Sequence, residues 1–292
     1  NLKEAEKSTR RAVSLKPDYV KAYINLGNIL NEQGNLKEAE KSARRAIELN
    51  PALAEAHNNL GSILNDQGNL KEAERSTRRA IELNPVLAEA HNNLGNILND
   101  QGNLKDAELS TRKAIQLNPN FVDAYCNLGN ILKDLGKLQD AELSTRKAIE
   151  INPDFAEAHS NRGNILRDIG KLQEAELSYR KAIQLNPAFA NAHLNLGNVL
   201  RDIGKLQEAE LSYRKAIQLN PDCAEAHSNR GNILRDLGKL KDAELSTRKA
   251  IEINPNFAEA YSNLGLILKD LGNLKDAELS TRKAIEIKPD FA

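Results

Sequence analysis

Histidine is the residue type here best suited to binding a metal or moving a proton. All five, His57, His91, His159, His193 and His227, lie at multiples of 34 residues from one another. A metal site needs several donors converging on one point. Residues separated by whole periods of a repeat fall in successive structural units. Tyr23, Tyr125 and Tyr261 occupy the same point of the cycle elsewhere. A position shared by histidine and tyrosine reads as a packing slot with a polar tip, so no metal is expected. Gly170-Lys171 and Gly204-Lys205 match only the end of a phosphate-binding loop: leucine follows each pair, the preceding glycine is seven residues back, and no strand leads in. They read as turns. No serine, cysteine or carboxylate departs from the cycle as a nucleophile or acid–base pair would. The segment is expected to be non-catalytic and to hold no cofactor.

The same period organises the whole chain. All nine prolines, Pro17 to Pro289, are spaced by 34 residues, and all sixteen glycines fall on two further points of the cycle. With proline as position 32, full repeats are 20–53, 54–87, 88–121, 122–155, 156–189, 190–223, 224–257 and 258–291, after a half-repeat at 1–19. A fixed period of this length marks a solenoid, here one array over 1–292. Within 54–87, Ala56, Leu60, Ile63 and Leu64 line one helical face, and Gly68 ends that helix. Leu70, Ala73, Thr77, Ala80, Ile81 and Leu83 form a second helix, stopped by Asn84-Pro85. Each repeat is therefore a helical hairpin, and the fold class is all-α. Gly61 lies inside the first helix, where glycine costs about 1 kcal/mol against alanine. Close packing on Ala73 and Ala80 is the expected reason.

Composition excludes several classes. The 41 basic and 41 acidic residues cancel, so neither nucleic acid nor an anionic membrane is an expected partner. No apolar run reaches the roughly 18 residues of a membrane span. Cys126 and Cys223 lie almost three repeats apart, too far for an intrachain disulfide, which fits a reducing compartment such as the cytoplasm. The chain has no methionine and opens inside a repeat, as a piece of a longer protein would.

The pattern resembles the tetratricopeptide repeat. Leu60-Gly61, Ala73, Ala80 and Pro85 stand where that signature has Leu-Gly, Ala, Ala and Pro. There are departures: His or Tyr replaces tryptophan at position 4, leucine such as Leu64 replaces tyrosine at position 11, and Arg162 and Arg230 replace leucine at position 7. Position 24 is mostly threonine, with only Tyr179 and Tyr213 aromatic. The resemblance implies a right-handed superhelical solenoid of antiparallel helix pairs. It also implies that the first helices line a concave side.

One polar stripe of the first helix is a candidate binding face. Position 6 is asparagine in every repeat: Asn25, Asn59, Asn93, Asn127, Asn161, Asn195, Asn229 and Asn263. Asparagine is a mediocre helix former, so propensity does not explain it. A row of amides offers donors and acceptors to the backbone of an extended peptide, whatever its side chains. This looks like the asparagine ladder of O-linked N-acetylglucosamine transferases, which implies a substrate-recruiting region of a larger enzyme. The bland reading is that these amides bridge adjacent repeats. Position 12 changes from Asn31, Asn65 and Asn99 to Lys133, Arg167, Arg201, Arg235 and Lys269. The C-terminal half of the groove is thus expected to be more cationic and to favour acidic peptides, unless these charges are balanced locally. The position-5 lysine of repeats that clamp chaperone C-termini is missing from all eight repeats.

The second helix carries another pattern. Position 22 turns from Lys7, Lys41 and Arg75 to leucine, including Leu143, Leu177, Leu211 and Leu245, while position 14 turns from glutamine to leucine or isoleucine. The leucines are candidates for a self-association stripe, against local packing of position 14 on position 22. The leading expectation is a scaffold that binds a protein or extended peptide. The alternatives are the recruiting region of an enzyme and a self-assembling array.

Overall fold

The structure is a computed structural model and describes residues 1–289. The last two residues of the repeat expected at 258–291, and Ala292, lie outside the described residues. The chain divides into two compact units, 1–152 and 153–292. The first holds α1 (Leu2–Leu15) and the pairs α2/α3 (Val20–Glu32, Leu36–Leu49), α4/α5 (Ala54–Asp66, Leu70–Leu83), α6/α7 (Ala88–Asp100, Leu104–Leu117) and α8/α9 (Val122–Asp134, Leu138–Ile151). The second holds α10/α11 (Ala156–Ile169, Leu172–Leu185), α12/α13 (Ala190–Asp202, Leu206–Leu219), α14/α15 (Ala224–Asp236, Leu240–Ile253) and α16/α17 (Ala258–Asp270, Leu274–Ile287).

Two devices cut the chain into hairpins. The glycine ending each first helix has a φ between 74° and 88°, a left-handed conformation that costs a residue with a Cβ. It lets the next amide reach back and close the helix end, as Asn69 N does to Leu64 O at 2.8 Å. The second helix stops at Asn-Pro. There the asparagine Oδ1 accepts the amide two residues on: Val86 N donates to Asn84 Oδ1 at 3.3 Å, and Ala188 N to Asn186 Oδ1 at 3.1 Å.

The two helices of a pair meet at the mid-helix glycine. A Cβ on Gly61 would collide with the Thr77 hydroxyl and lie 3.2 Å from the Ala73 carbonyl. On Gly163 it would lie 2.7 Å from the Tyr179 ring, and on Gly197 2.6 Å from the Tyr213 ring. Ala73 and Ala80 are both fully buried, but the side chain that demands glycine is the one at position 24, between them. Where position 24 is Ala43, the pressure is relieved, and the nearest atom to a Cβ on Gly27 is Ala39 O at 3.5 Å.

Within each unit successive first helices touch, whereas successive second helices stay apart among the described residues. The first helices therefore lie on the inside of each stack's curve. The second helices are joined by long side chains, such as Arg44 to Glu72 at 2.6 Å and Arg180 to Glu208 at 2.5 Å. At Tyr23 and at all five histidines, position 4 ties a repeat to the one before it. His57, His91, His193 and His227 place Nε2 at 3.0, 3.0, 3.2 and 3.0 Å from the carbonyls of Pro51, Pro85, Pro187 and Pro221. A carbonyl only accepts, so the ring nitrogen donates. Tyr23 OH makes the same bond to Pro17 O at 3.3 Å, which is why the two residue types exchange there.

Two predictions follow the packing. Gly27→Ala is expected to stabilise the chain by about 0.5–1 kcal/mol through helix propensity. Gly163→Ala, forced against Tyr179, is expected to destabilise it by about 1–3 kcal/mol; urea midpoints measured on both variants check the opposite signs. Burial holds the imidazoles of His193 and His227 below their ordinary value, although the proline carbonyl bond opposes that shift. An unfolded chain therefore takes up their protons first as pH drops through about 6.5, and stability present above that value declines as pH falls towards the lower folded values. Melting temperatures should decrease between about pH 7.5 and about pH 5.5, and the double variant His193→Tyr, His227→Tyr should flatten that decrease.

Candidate functional site

The position-6 asparagines lie on the inner helices, Asn25 exposed and Asn59, Asn93, Asn127, Asn161, Asn195, Asn229 and Asn263 half-buried. Most reach the preceding repeat. Asn93 Nδ2 donates to Asn58 Oδ1 at 2.9 Å and Asn127 Nδ2 to Asn92 Oδ1 at 3.0 Å. In the second unit Asn195, Asn229 and Asn263 donate to Asn164 Oδ1, Asn198 Oδ1 and Ser228 Oγ, each at 3.0 Å. The bridging arrangement is therefore present. It uses one amide hydrogen per residue, and an amide has a second hydrogen and a carbonyl oxygen beyond it.

Two of these bridges continue into the core. Asn164 Oδ1 also accepts the Tyr179 hydroxyl at 2.7 Å, and Asn198 Oδ1 the Tyr213 hydroxyl at 2.8 Å. Burial raises both phenols well above their usual range, so they remain protonated donors. The departures at position 24 do not by themselves reveal this link. The signal for it is the tyrosine appearing fifteen residues after an asparagine, twice.

Four of the cations at position 12, Lys133, Arg167, Arg201 and Arg235, do not stand alone. Lys133 lies 3.4 Å from Asp134, Arg167 3.8 Å from Asp168 and Arg201 2.9 Å from Asp202. Arg235 lies 3.4 Å from Asp236 and 3.7 Å from Asp270 of the next repeat. Each positive charge is thus offset at short range by its neighbour. In earlier repeats amides serve the same carboxylates: Asn31 Nδ2 donates to Asp66 at 2.6 Å and Asn65 Nδ2 to Asp100 at 3.0 Å.

On the outer side, position 14 and position 22 part company. Leu135, Ile203, Leu237 and Leu271 pack against the core, whereas Leu143, Leu177, Leu211 and Leu245 are 50–72% exposed. Clefts run between successive second helices, floored by positions 4 and 7 of the first. One of about 570 Å³ is lined by Ile115, Tyr125, Leu128 and Leu143 beneath Arg112 and Lys147. Between α13 and α15 the floor is instead Arg230, which donates from Nε to Glu210 Oε1 at 2.9 Å. The substitution at position 7 thus makes a second inter-repeat bond.

A comparison within the chain gives a prediction. The 13 residues of α14 repeat the start of α10, but α15 carries Thr247 where α11 has Tyr179. Thr247 turns its hydroxyl to Ala243 O, and Asn232 Oδ1 is left buried without a partner. Thr247→Tyr should supply that partner and stabilise the chain by about 1–2 kcal/mol. Thr247→Phe, with the ring but no hydroxyl, should gain less; thermal melts of both variants decide it.

Family models described as tetratricopeptide repeat match residues 20–53, 54–85, 88–121, 122–155, 258–291 and 145–176, and a third, described as TPR repeat, matches 163–201, 197–238 and 231–272. No curated protein matches the chain. Among solved structures, it is similar to YrrB, described as a TPR protein with an unusual peptide-binding site, at 28% identity and TM-score 0.53 over 62% of this chain and 93% of that one. MamA is similar at 27% identity and TM-score 0.52, over 56% and 95%. A hetero-tetramer of Cut9 and Hcn1 contains a chain similar at 17% identity and TM-score 0.76, over 92% and 53%, a likeness of fold alone. The repeats matched along its length and the helix pairs they form show that this chain belongs to the tetratricopeptide repeat family, an all-α solenoid.

Proposed function

We propose that the chain is a protein-interaction scaffold whose inner helices hold an extended peptide or partner segment. The observation that carries this reading is the asparagine at position 6 of all eight repeats, several of them fastened to the repeat before. Fastening removes rotamer freedom before a ligand arrives, so less entropy is lost on binding. The resemblance to YrrB, a protein with a described peptide-binding site, supports the same reading. The position-12 residues Lys133, Arg167, Arg201 and Arg235 contribute through their paired carboxylates as much as through their charge, so the groove offers alternating donors and acceptors. On this reading the segment is non-catalytic and its partner is protein, in keeping with the balance of 41 basic and 41 acidic residues.

Peptides selected on the intact chain from a random displayed library test this. The variant Asn25→Ala, Asn59→Ala, Asn93→Ala, Asn127→Ala, paired with Asn195→Ala, Asn229→Ala, Asn263→Ala, covers both units. At about 1 kcal/mol per lost bond, the group that faces the peptide should weaken binding by about thirtyfold or more. Circular dichroism should be unchanged, because alanine is the better helix former. Unaltered affinity in both variants overturns the proposal.

A further inference from the structure

The structure assigns a second docking site, on the outer side, to the cleft between α11 and α13, and the occupant we infer is an acidic partner segment bearing a bulky apolar side chain. It does not rest on the asparagine face, which belongs to the inner helices. The cleft measures about 430 Å³, within the usual range for a ligand site. Ile183 and Leu196 form its floor, and Leu211, 50% exposed, stands at its rim. The His193 ring closes one side, engaged to Pro187 O at 3.2 Å.

Charge selects the occupant. Position 29 is glutamate at Glu48, Glu82, Glu150, Glu252 and Glu286, but glutamine at Gln116, Gln184 and Gln218, and only α11 and α13 are successive second helices that both carry glutamine. Lys147, Lys249 and Lys283 are each neutralised by that glutamate at 2.7–3.0 Å. Lys215 at the mouth of this cleft meets only the neutral Gln218 Oε1, at 3.0 Å. Arg180 on the opposite wall is held by Glu176 and Glu208. No carboxylate lines the cleft itself, whereas equivalent clefts are lined by Glu82, Glu150 or Glu252. An apolar floor with one uncompensated ammonium beside it suits a phenylalanine or leucine followed by a carboxylate. The apolar side chain covers Leu196 and Leu211, and the carboxylate accepts from Lys215 Nζ.

Fluorescence anisotropy with a fluorescein-labelled peptide Gly-Asp-Glu-Phe-Glu-Asp-Gly at low ionic strength tests the site on the full chain. Saturable binding that weakens with salt is expected. Lys215→Glu and Leu211→Asp should each weaken it by about tenfold or more. Asn195→Ala with Asn229→Ala should leave it unchanged, which separates this site from the inner face. Both Lys215 and Leu211 are solvent-exposed, so neither substitution disturbs the core. The proposal is overturned if the peptide does not bind saturably, if Lys215→Glu binds it equally well, or if a lysine-for-acid version of the peptide binds as tightly. It is overturned too if sedimentation shows a dimer, abolished by Leu211→Asp, that the peptide cannot displace.

Discussion

Everything in this molecule depends on how closely the two helices of each pair can approach at one glycine. At Gly61, Gly95, Gly163, Gly197, Gly231 and Gly265 a threonine hydroxyl or a tyrosine ring from the partner helix occupies the space a side chain would need. Removing a Cβ there costs helix propensity eight times over, and the return is a seam in which alanines such as Ala73 and Ala80 are wholly buried. Because the first helices then touch their successors and the second helices do not, each unit has two unlike sides. One carries a dense row of amides, the other a series of open clefts. The proposed peptide face and the proposed docking cleft lie on the two sides that the seam creates.

The joints between repeats use polar groups at several depths. Ring nitrogens at position 4 hold proline carbonyls on the outer side, asparagine amides bridge the inner side, and Arg230 with Glu210 crosses a cleft floor. Tyr179 and Tyr213 link the core to the amide row, so a packing residue sets the orientation of a surface one. Exposed ion pairs such as Arg44 with Glu72 add little individually. Their service is geometric, since they span the gap left by the separated second helices.

The 34-residue period, the hairpin and the position of the tight seam are legible in the sequence, because proline and glycine each act through the backbone at a fixed phase. The histidines were legible as structural for the same reason, since Tyr23 can replace them only if a donor is all that is needed. Other features were not. Spacing along one helix shows that Asn93 and Asp100 share a stripe, but not that Asn93 reaches back to Asn58 or that Asp100 receives Asn65. Those bonds join residues 35 apart, and their existence depends on the tilt between repeats. Likewise a count of cations suggests a positive groove, whereas the Arg201 guanidinium folds onto the adjacent Asp202. The sequence alone suggests that the flanking alanines demand the glycine, whereas in the structure the side chain between them fills the space.

The central claim is that the position-6 amides face a ligand. Side-chain amide NMR tests it most directly, by titrating the isotopically labelled chain with a library-selected peptide and following the asparagine Nδ2–H resonances. The account predicts that the resonances of a consecutive run, such as Asn59, Asn93 and Asn127 or Asn195, Asn229 and Asn263, shift together and saturate with the binding curve. Saturable binding that leaves every position-6 amide unmoved would contradict it.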